Sequence, residues 1–364
     1  MTTDTSALHR AEQAMHAAGI DALLLGPGAD LRYLTGYLAL PLERLTLLVA
    51  RADGVHHLVV PTLERPRAEA AGLPDGLRLH DVGETDDPYA VVARCLNGAA
   101  GRLGAGDQLW SMFLLELQQA VPGASWSRAS AVMRELRMRK TPDEVAALRR
   151  AGRAIDRVHA QIPGLLESGR TEVEVGRGIA EAILAEGHSA VDFVIVGSGP
   201  NGASPHHETS DRLLADGDGI VIDIGGTLDA YHSDCTRNYL LGSPPEGYAK
   251  AHAALQEAQA AACDAVRPGV PAASVDAAAR NVLTQAGYGE FFVHRTGHGI
   301  GLDGHEDPYI LAGNELALEP GMAFSIEPGV YLPGRFGMRI EDIVVVTDDG
   351  LERLNRGDRA VVTV

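Results

Sequence analysis

Residues 219–241 constrain the fold of this chain most strongly, because they predict a β-hairpin that carries two acids. An apolar run interrupted by Asp223 leads into a glycine-containing turn, and the chain then returns through Asp234. A turn centred between Leu228 and Asp229 would set Asp223 directly opposite Asp234, with Cβ atoms about 5 Å apart on one face. Carboxylates so placed repel each other, so either one is protonated or a cation lies between them. The alternative is a solvated hairpin with two surface acids.

A second acid-bearing hairpin is predicted at residues 321–346. Strand, Gly/Pro turn and strand follow one another again, and a turn centred near Gly334 places Glu327 nearly opposite Glu341. Four paired carboxylates on half-buried strands are hard to explain as solvated faces. The two hairpins together therefore favour a shared cation site.

The order of elements around the hairpins also occurs twice. Helices are predicted to begin near residues 142 and 172 and again near 246 and 275, and each pair precedes one hairpin. The interval of about 104 residues is too long for a solenoid repeat. We therefore expect two similar α/β halves with pseudo-twofold symmetry, and the four carboxylates at their junction.

The first part of the chain predicts a separate domain. Short apolar strands alternate with helices up to about residue 130, which is typical of an α/β domain, and we find no catalytic constellation among them. The expected architecture is therefore mixed α/β (α+β), with an N-terminal domain at 1–130 and a catalytic domain at 131–364.

Charge and cysteine content narrow the class of protein. The net charge of −18 argues against nucleic acid and anionic membranes as partners. Three cysteines without CxxC spacing, Cys95, Cys235 and Cys263, indicate a reducing compartment rather than a disulfide framework. The N-terminal stretch lacks the apolar segment of a signal peptide, and no run approaches the roughly 20 apolar residues that span a bilayer. A soluble cytoplasmic protein is the expectation.

A histidine between glycines is the expected nitrogen ligand of the cation site. Residues 297–301 read Gly-His-Gly-Ile-Gly, and glycines allow the backbone to approach a neighbour closely. Because His298 precedes the second acid hairpin, we expect it to complete a set with the four carboxylates, namely Asp223, Asp234, His298, Glu327 and Glu341. Such an oxygen-rich set suits two divalent ions, with Mn²⁺ favoured and Co²⁺ or Zn²⁺ as alternatives. Paired metals activate a water and polarise a carbonyl, which indicates metal-assisted hydrolysis.

One further motif is rejected as a nucleotide-binding loop. Residues 197–202 fit the GxGxxG pattern and follow a strand, but the pattern requires a helix to begin there. The chain continues instead through Ala203, Ser204 and Pro205, which is not such a helix start.

Five ordered motifs resemble those of the pita-bread metallopeptidases. They are VIDIGG (221–226), SDCTR (233–237), TGHGIGLDGHE (296–306), SIEPGVY (325–331) and MRIED (338–342). The match is closest to the Xaa-Pro peptidase branch, which contains prolidase and aminopeptidase P. The segment RYLTGY (32–37) resembles the creatinase-type N-terminal domain of that branch, so the resemblance covers essentially the whole chain.

The resemblance assigns the metal ligands. It implies that Asp223 binds one metal and that Asp234 and Glu341 bridge both metals, while His298 and Glu327 bind the second. A hydroxide that bridges the metals would attack the peptide carbonyl. The resemblance also implies a homodimer.

The resemblance further assigns residues that contact substrate. Glu327 would shuttle the proton, and His305 would stabilise the tetrahedral intermediate or hold the substrate backbone. His206 and His294 match histidines on the substrate side of the pocket, and His206 is counted with the catalytic residues. Arg339 is expected to fix either a ligating carboxylate or the substrate carboxylate.

The expected substrate is a small peptide with proline at its second position. An Xaa-Pro bond is a tertiary amide without an N–H, which favours a pocket shaped for the pyrrolidine ring. Dipeptides and longer peptides both remain open. The alternatives are a creatinase-like enzyme or lyase of the same fold with a non-peptide substrate, and a non-catalytic binding protein. The complete ligand set counts against a metal-free enzyme and against a binding protein.

Overall fold

The computed structural model describes residues 5–97 and 101–364, and the chain divides into two compact units. The first unit ends at Arg137, and the second runs from Met138 to Val364. The first four residues, which belong to the N-terminal stretch considered above, lie outside the described residues. The expected boundary after residue 130 precedes a helix that instead packs Val132 and Met133 into the core of the first unit.

The first unit is an α/β domain with a six-stranded sheet. Its helices are α1 (Thr5–Ala18), α2 (Ala29–Thr35), α3 (Arg65–Ala70), α4 (Pro88–Cys95), α5 (Ser111–Ala120) and α6 (Ser130–Met138). Its strands are β1 (Ala22–Leu25), β2 (Leu47–Arg51), β3 (His57–Pro61), β4 (Arg78–Val82), β5 (Arg102–Ala105) and β6 (Ser125–Arg128). The strand order is β4-β3-β2-β1-β5-β6, and β2 is antiparallel to both of its neighbours.

Both faces of this sheet are covered, which explains why its central strand is apolar at every position. In β1, Leu23 and Leu25 pack with residues of α1, whereas Ala22 and Leu24 face the side of α4 and α5. Alternate residues of a strand point to opposite faces, so a run without polar residues requires a layer on each side.

The second unit contains the two acid hairpins. Its helices are α7 (Pro142–Gln161), α8 (Glu172–Ala185), α9 (Tyr248–Ala265) and α10 (Ala272–Gln285). Its strands are β7 (Ala190–Ser198), β8 (Gly219–Leu228), β9 (Tyr231–Leu240), β10 (Gly297–Gly299), β11 (Glu306–Ile310), β12 (Ala323–Ile326), β13 (Gly329–Leu332), β14 (Phe336–Arg339), β15 (Asp342–Val346), β16 (Leu351–Arg353) and β17 (Val362–Thr363). They form sheets in the orders β17-β9-β8-β7 and β11-β10-β12-β15-β16, with β13 and β14 as a separate pair.

Each half of this unit packs a helix pair against one hairpin, as the repeated order predicts. One apolar cluster joins α7 and α8 to β8 and β9, and another joins α9 and α10 to the strands from β12 to β15. Both helices of the first pair begin with the expected capping box, in which Thr141 pairs with Glu144 and Thr171 with Glu174.

Two other expectations concern bilayers and cysteines. Among the residues that the structure describes, no helix combines the length and the apolar character needed to cross a bilayer. The three cysteines are free thiols in buried positions.

Candidate metal centre and active site

The first acid hairpin is formed by β8 and β9, and its turn lies one position later than expected. Asp229 and Ala230 form the turn with φ of 52° and 78°, the left-handed values of a two-residue hairpin loop. The register pairs Asp223 with Thr236, so the prediction that Asp223 lies directly opposite Asp234 was wrong. The later turn changes the partner of Asp223 from Asp234 to Thr236, which is a shift of two residues. Because that number is even, Asp223 and Asp234 still lie on one face of the hairpin as diagonal neighbours.

The second hairpin turns at Gly334 as expected, with φ of 72°, but its ladder is interrupted. β12 pairs with β15 and β13 with β14 in one common register. Glu327 and Glu341 lie in the gap between the two ladders, at positions that this register sets opposite each other. Their backbone N–H groups donate elsewhere, Glu327 to the Thr296 carbonyl at 2.8 Å and Glu341 to the Thr236 carbonyl at 3.3 Å. The interruption therefore frees the second hairpin to bond to the first.

Side chains of β9 connect the two hairpins through hydrogen bonds and an ion pair. Arg237 donates to the Glu341 carbonyl at 2.6 Å and forms a buried ion pair with Asp342 at 2.7 Å. Asn238 donates to the Arg339 carbonyl at 2.8 Å and accepts from the Arg339 N–H at 3.2 Å. These contacts fix the backbone that carries one pair of acids relative to the other pair.

The glycines around His298 are required by close packing of the backbone. A Cβ atom on Gly297 would lie 1.9 Å from the Ser325 carbonyl oxygen, and one on Gly299 would lie 2.2 Å from that of Asp307. The His298 N–H also donates to the Ser325 hydroxyl at 3.0 Å. The two glycines thus allow His298 to pack closely against β12, the strand that leads to Glu327.

The imidazole of His298 is oriented for ligation through Nε2. Its Nδ1 lies 3.1 Å from the Gly299 carbonyl, which accepts a hydrogen bond only if Nδ1 carries the proton. Nε2 then presents its lone pair to the acids, 3.3 Å from Glu327 Oε1 and 3.7 Å from Asp234 Oδ2. A second bond that fixes the tautomer in this way is typical of metal-binding histidines.

All five residues expected to bind metal lie together in the wall of one cavity of about 540 Å³. Their potential ligand atoms form overlapping groups in which all atoms lie within 4.8 Å of one another. The groups are Asp223 with Asp234 and Glu341, His298 with Glu327 and Glu341, and Asp234 with His298 and His305. Overlap of this kind suits a centre with more than one ion, because single carboxylates then reach two positions.

Burial dominates the electrostatics of the cluster. Burial and the charge of Glu341 raise the pKa of Asp234 well above its usual range, and burial and Glu327 do the same to the pKa of Glu341. Burial raises the pKa of Glu327 to about 7 against the opposing charge of Arg339. Burial lowers the pKa of His298 to about 3, so the ring is neutral and its lone pair is available. Binding of divalent cations would release the protons that the acids share.

Two buried oxygens give direct support for cation binding. Asp223 Oδ1 and Asp234 Oδ1 are both inaccessible to solvent and have no hydrogen-bond partner. An unpaired buried carboxylate oxygen is costly, and buried acids are normally paired or coordinate metals. The residues present therefore fit a divalent metal centre.

Arg339 holds residues of the acid cluster in place through hydrogen bonds. Its Nη2 donates to Asp223 Oδ2 at 2.5 Å, its Nε to the Thr236 hydroxyl at 3.0 Å and its Nη1 to the Tyr331 hydroxyl at 2.8 Å. The Thr236 hydroxyl in turn donates to Glu341 Oε2 at 2.7 Å. Of the two roles expected for Arg339, these contacts favour the one in which it fixes ligating carboxylates.

Arg339→Lys is expected to weaken Mn²⁺ binding and activity by about 10- to 100-fold, the usual effect of losing a residue that orients metal ligands. A lysine keeps the charge but cannot hold Asp223, Thr236 and Tyr331 at once. Calorimetric titration with Mn²⁺ measures the change. Arg335→Lys is the control, because Arg335 lies on the same hairpin against the Phe336 ring and outside the cavity wall. Unchanged metal affinity in the Arg339 variant would contradict the proposal that Arg339 fixes the ligating carboxylates.

The three histidines expected on the substrate side also line the cavity. His294 contacts the Tyr331 hydroxyl through Nε2 at 2.9 Å, and burial lowers its pKa to about 4. The ring of His305 lies 3.8 Å from that of His298, and both His305 and His206 are exposed to the cavity. The structure thus places all three imidazoles in the cavity wall that also holds the acid cluster.

The GxGxxG segment, which was rejected as a nucleotide-binding loop, leads into the loop that carries His206. No α-helix begins there; β7 ends at Ser198 and a short 3-10 helix follows at Gly199–Ala203. The buried carboxylate of Glu172 accepts bonds from Ser198, Asn201 and Ser210, and it contacts His207 at 2.7 Å. The motif is therefore part of a loop anchored by one buried acid.

Several residues of the site were not singled out from the sequence, among them Thr236 and Arg295 and the apolar wall residues Phe193 and Ile195. Thr236 links Arg339 to Glu341, and Arg295 lines the cavity next to His294. Thr236 could have been found from its place beside Asp234 on the same strand face. Arg295 lies in a loop, where alternation gives no information about direction.

Comparison with known proteins agrees with the motifs. A model of metallopeptidase family M24 matches residues 146–348, and one of the creatinase/prolidase N-terminal domain matches residues 8–139. The chain belongs to metallopeptidase family M24, has the fold of that family and is a metallopeptidase.

Three similar proteins illustrate the relationship. A probable dipeptidase PepE of Mycobacterium tuberculosis is 53% identical over 349 residues, covering 95% of this chain and 93% of its own. The crystal structure of dipeptidase PepE from Mycobacterium ulcerans has 53% identity and a TM-score of 0.94, with 99% of each chain covered. A prolidase from Thermococcus sibiricus has 35% identity and a TM-score of 0.93, with 100% of each chain covered.

Proposed function

We propose that this metallopeptidase hydrolyses the Xaa-Pro bond of short peptides with two divalent metal ions. The observation that carries the proposal is the pair of unpartnered buried oxygens, Asp223 Oδ1 and Asp234 Oδ1, within a cluster of four acids and one histidine. Similar proteins named dipeptidase and prolidase support the substrate class.

The metal ligands in this proposal are the five residues expected from the sequence. Asp223 would serve one ion and His298 with Glu327 the other, while Asp234 and Glu341 would serve both. Oxygen-rich ligation favours Mn²⁺. When bound, the ions would supply Lewis acidity and a nucleophilic water.

The remaining residues would position the peptide and move the proton. Glu327 would accept a proton and return it to the leaving nitrogen. The Ser325 hydroxyl donates to Glu327 Oε1 at 3.0 Å and so holds one carboxylate oxygen in place. His305 and His206 would donate to the carbonyl oxygen as negative charge develops there.

Apolar residues of the cavity wall would receive the proline side chain. Phe193 and Ile195 supply apolar surface to the cavity, and His294, which also lines it, contacts the Tyr331 hydroxyl. A rigid pyrrolidine ring buries apolar surface there, and the tertiary amide leaves no N–H without a partner. We also propose that the chain forms a homodimer, and sedimentation equilibrium tests this.

The test is hydrolysis by the metal-stripped chain after addition of Mn²⁺. We expect cleavage of Ala-Pro, much slower cleavage of Ala-Ala, and loss of both on chelation. Ala-Pro-Ala is assayed in parallel to separate a dipeptidase from an aminopeptidase. If the metal-loaded protein cleaves no Xaa-Pro peptide, the proposed substrate class is wrong, and cleavage of Ala-Ala alone would indicate a dipeptidase without proline specificity.

A further inference from the structure

Two histidines and one cysteine of the first unit form a cluster of metal-binding side chains that the proposed function does not use. His57 lies on β3, His80 lies on β4 and Cys95 is the last residue of α4. One ligand atom from each residue lies within 4.8 Å of those from the other two. All the expected ligands of the acid cluster belong to the second unit, so this group is a separate candidate site.

The topology of the first sheet brings these three side chains to one face. β3 and β4 are parallel, and their register pairs Val59 with His80. Because paired residues share a face, and residues two apart on a strand do so as well, His57 and His80 both point to the side of Val59. Val59 packs with Val92 and Cys95 of α4 in one apolar cluster. The two histidines therefore face the helix that carries the cysteine.

The two imidazole rings direct nitrogen atoms at each other. His57 Nδ1 lies 2.8 Å from His80 Nε2, and the ring centroids are 5.0 Å apart. Between two neutral rings, one of these nitrogens donates and the other accepts. A metal ion between the rings would bind both nitrogens once the donor ring moves its proton to its other nitrogen. Nitrogens bound at about 2.0–2.1 Å in a tetrahedron lie about 3.3 Å apart, so the rings need to separate by only about 0.5 Å.

The cysteine is available as the third ligand. Cys95 is buried and forms no disulfide, and in the described parts of the chain its thiol makes no hydrogen bond. Its carbonyl accepts a hydrogen bond from Arg51 Nη1 at 2.8 Å, which fixes the end of α4 against β2. The sulfur is therefore held close to the two rings without a competing partner among the described residues.

The charges around the cluster require an anionic ligand in the set. Burial and the neighbouring His80 lower the pKa of His57 to about 4, and burial lowers the pKa of His80, so both rings are neutral and can bind a metal. Arg78 and Arg51 lie near His57 and would repel a cation that was bound by neutral ligands alone. Burial raises the pKa of the Cys95 thiol, but a coordinated metal ion removes the proton from a thiol. The resulting thiolate would offset part of the repulsion.

We propose that His57, His80 and Cys95 bind one Zn²⁺ ion, with a water molecule as the fourth ligand. Two imidazoles and one thiolate suit Zn²⁺, whereas Mn²⁺ and Mg²⁺ prefer oxygen ligands. His80 is only half-buried, so the ion and the water can enter from its side. The ion would join two neighbouring strands to α4, and its binding to the folded chain would therefore stabilise the first unit. This site does not depend on the proposed function.

The experiment uses Co²⁺ as a spectroscopic probe, because a thiolate ligand gives Co²⁺ a near-ultraviolet charge-transfer band. None of the residues expected in the acid cluster is a cysteine, so Co²⁺ bound there gives no such band. The full metal-stripped chain is titrated with Co²⁺, and we expect the band to appear and then to disappear when Zn²⁺ is added. Cys95→Ser should abolish the band. Cys263→Ser is the matched control, since Cys263 is also a buried free thiol but belongs to no potential metal-binding group among the described residues.

A second variant decides the question if Cys95→Ser does not fold. His80→Asn changes a half-buried position and should weaken Zn²⁺ binding by more than about 100-fold, beyond the usual effect of residues that only orient ligands. After saturation with Zn²⁺, it should hold one ion fewer per chain than the wild type.

The same measurements can overturn the proposal. Absence of the band in the wild-type chain at saturating Co²⁺ would do so, as would its persistence in Cys95→Ser or an equal zinc content in His80→Asn and the wild type. Asp234→Asn changes only the acid cluster and should keep the band. The outcome for this site is therefore separate from that for the proposed peptidase centre.

Discussion

Asp234→Asn is expected to reduce peptide hydrolysis by more than about 100-fold, beyond the usual effect of residues that only orient ligands. The same substitution should raise the thermal stability of the metal-free protein. Asp234 is buried beside Glu341, Asp223 and Glu327, and burial and these charges raise its pKa well above its usual range. A neutral amide of the same shape removes the repulsion and the cost of a buried charge.

The measurements for this variant are Mn²⁺ titration and thermal unfolding in a chelator. Asp218→Asn is a matched control, because Asp218 is also buried but is neutralised by Arg212 at 2.6 Å outside the acid cluster. The control should lose stability and keep its metal affinity. Full activity of the Asp234 variant, or a less stable metal-free protein, would contradict the assignment of Asp234 to the metal centre.

Glu327→Gln is expected to lower kcat by about 10²- to 10⁴-fold, the range for loss of a general acid-base group. It should also change how stability depends on pH in the metal-free protein. Burial raises the pKa of Glu327 from 4.5 to about 7, so the folded state holds a proton that the unfolded state releases near pH 4.5. The contribution of this group is therefore fully present below about pH 4.5 and is lost as the pH rises through about 7.

The free energy of unfolding, measured at several pH values in a chelator, tests this. The wild-type chain should lose more stability than the Gln variant between pH 4.5 and about 7. Glu352→Gln is the control with the opposite sign, because Arg149 lowers the pKa of Glu352 and its contribution is lost as the pH falls. Parallel curves for the wild-type chain and Glu327→Gln would show that the proton is not held by Glu327.

The positions of the acids could be predicted from the sequence because side-chain direction in a strand depends only on parity. The turn at Asp229 and Ala230 carries no glycine or asparagine to mark it, and it was placed one position too early. That error changed the partner of Asp223 without turning the side chain to the other face. The prediction that Asp223 and Asp234 share a face was therefore less sensitive to the position of the turn than the prediction of their register.

Contacts between distant segments could not be predicted in this way. The bonds from Arg339 to Asp223, Thr236 and Tyr331 depend on how the second hairpin lies across the first. That arrangement is fixed by β9 side chains such as Asn238, which bond to the other hairpin's backbone. The direction of Arg295 depends on a loop held by Asp276, and no periodic pattern reports it.

The most direct test of the central claim is a crystal structure of the Mn²⁺-loaded protein with anomalous diffraction data. We expect two anomalous peaks within the cluster, with carboxylate oxygens of Asp223, Asp234, Glu327 and Glu341 and the Nε2 atom of His298 as ligands. Metal analysis of the same sample should give two ions per chain. No bound metal under saturating conditions, or a peak only outside this cluster, would contradict the claim that these five residues form the catalytic metal centre.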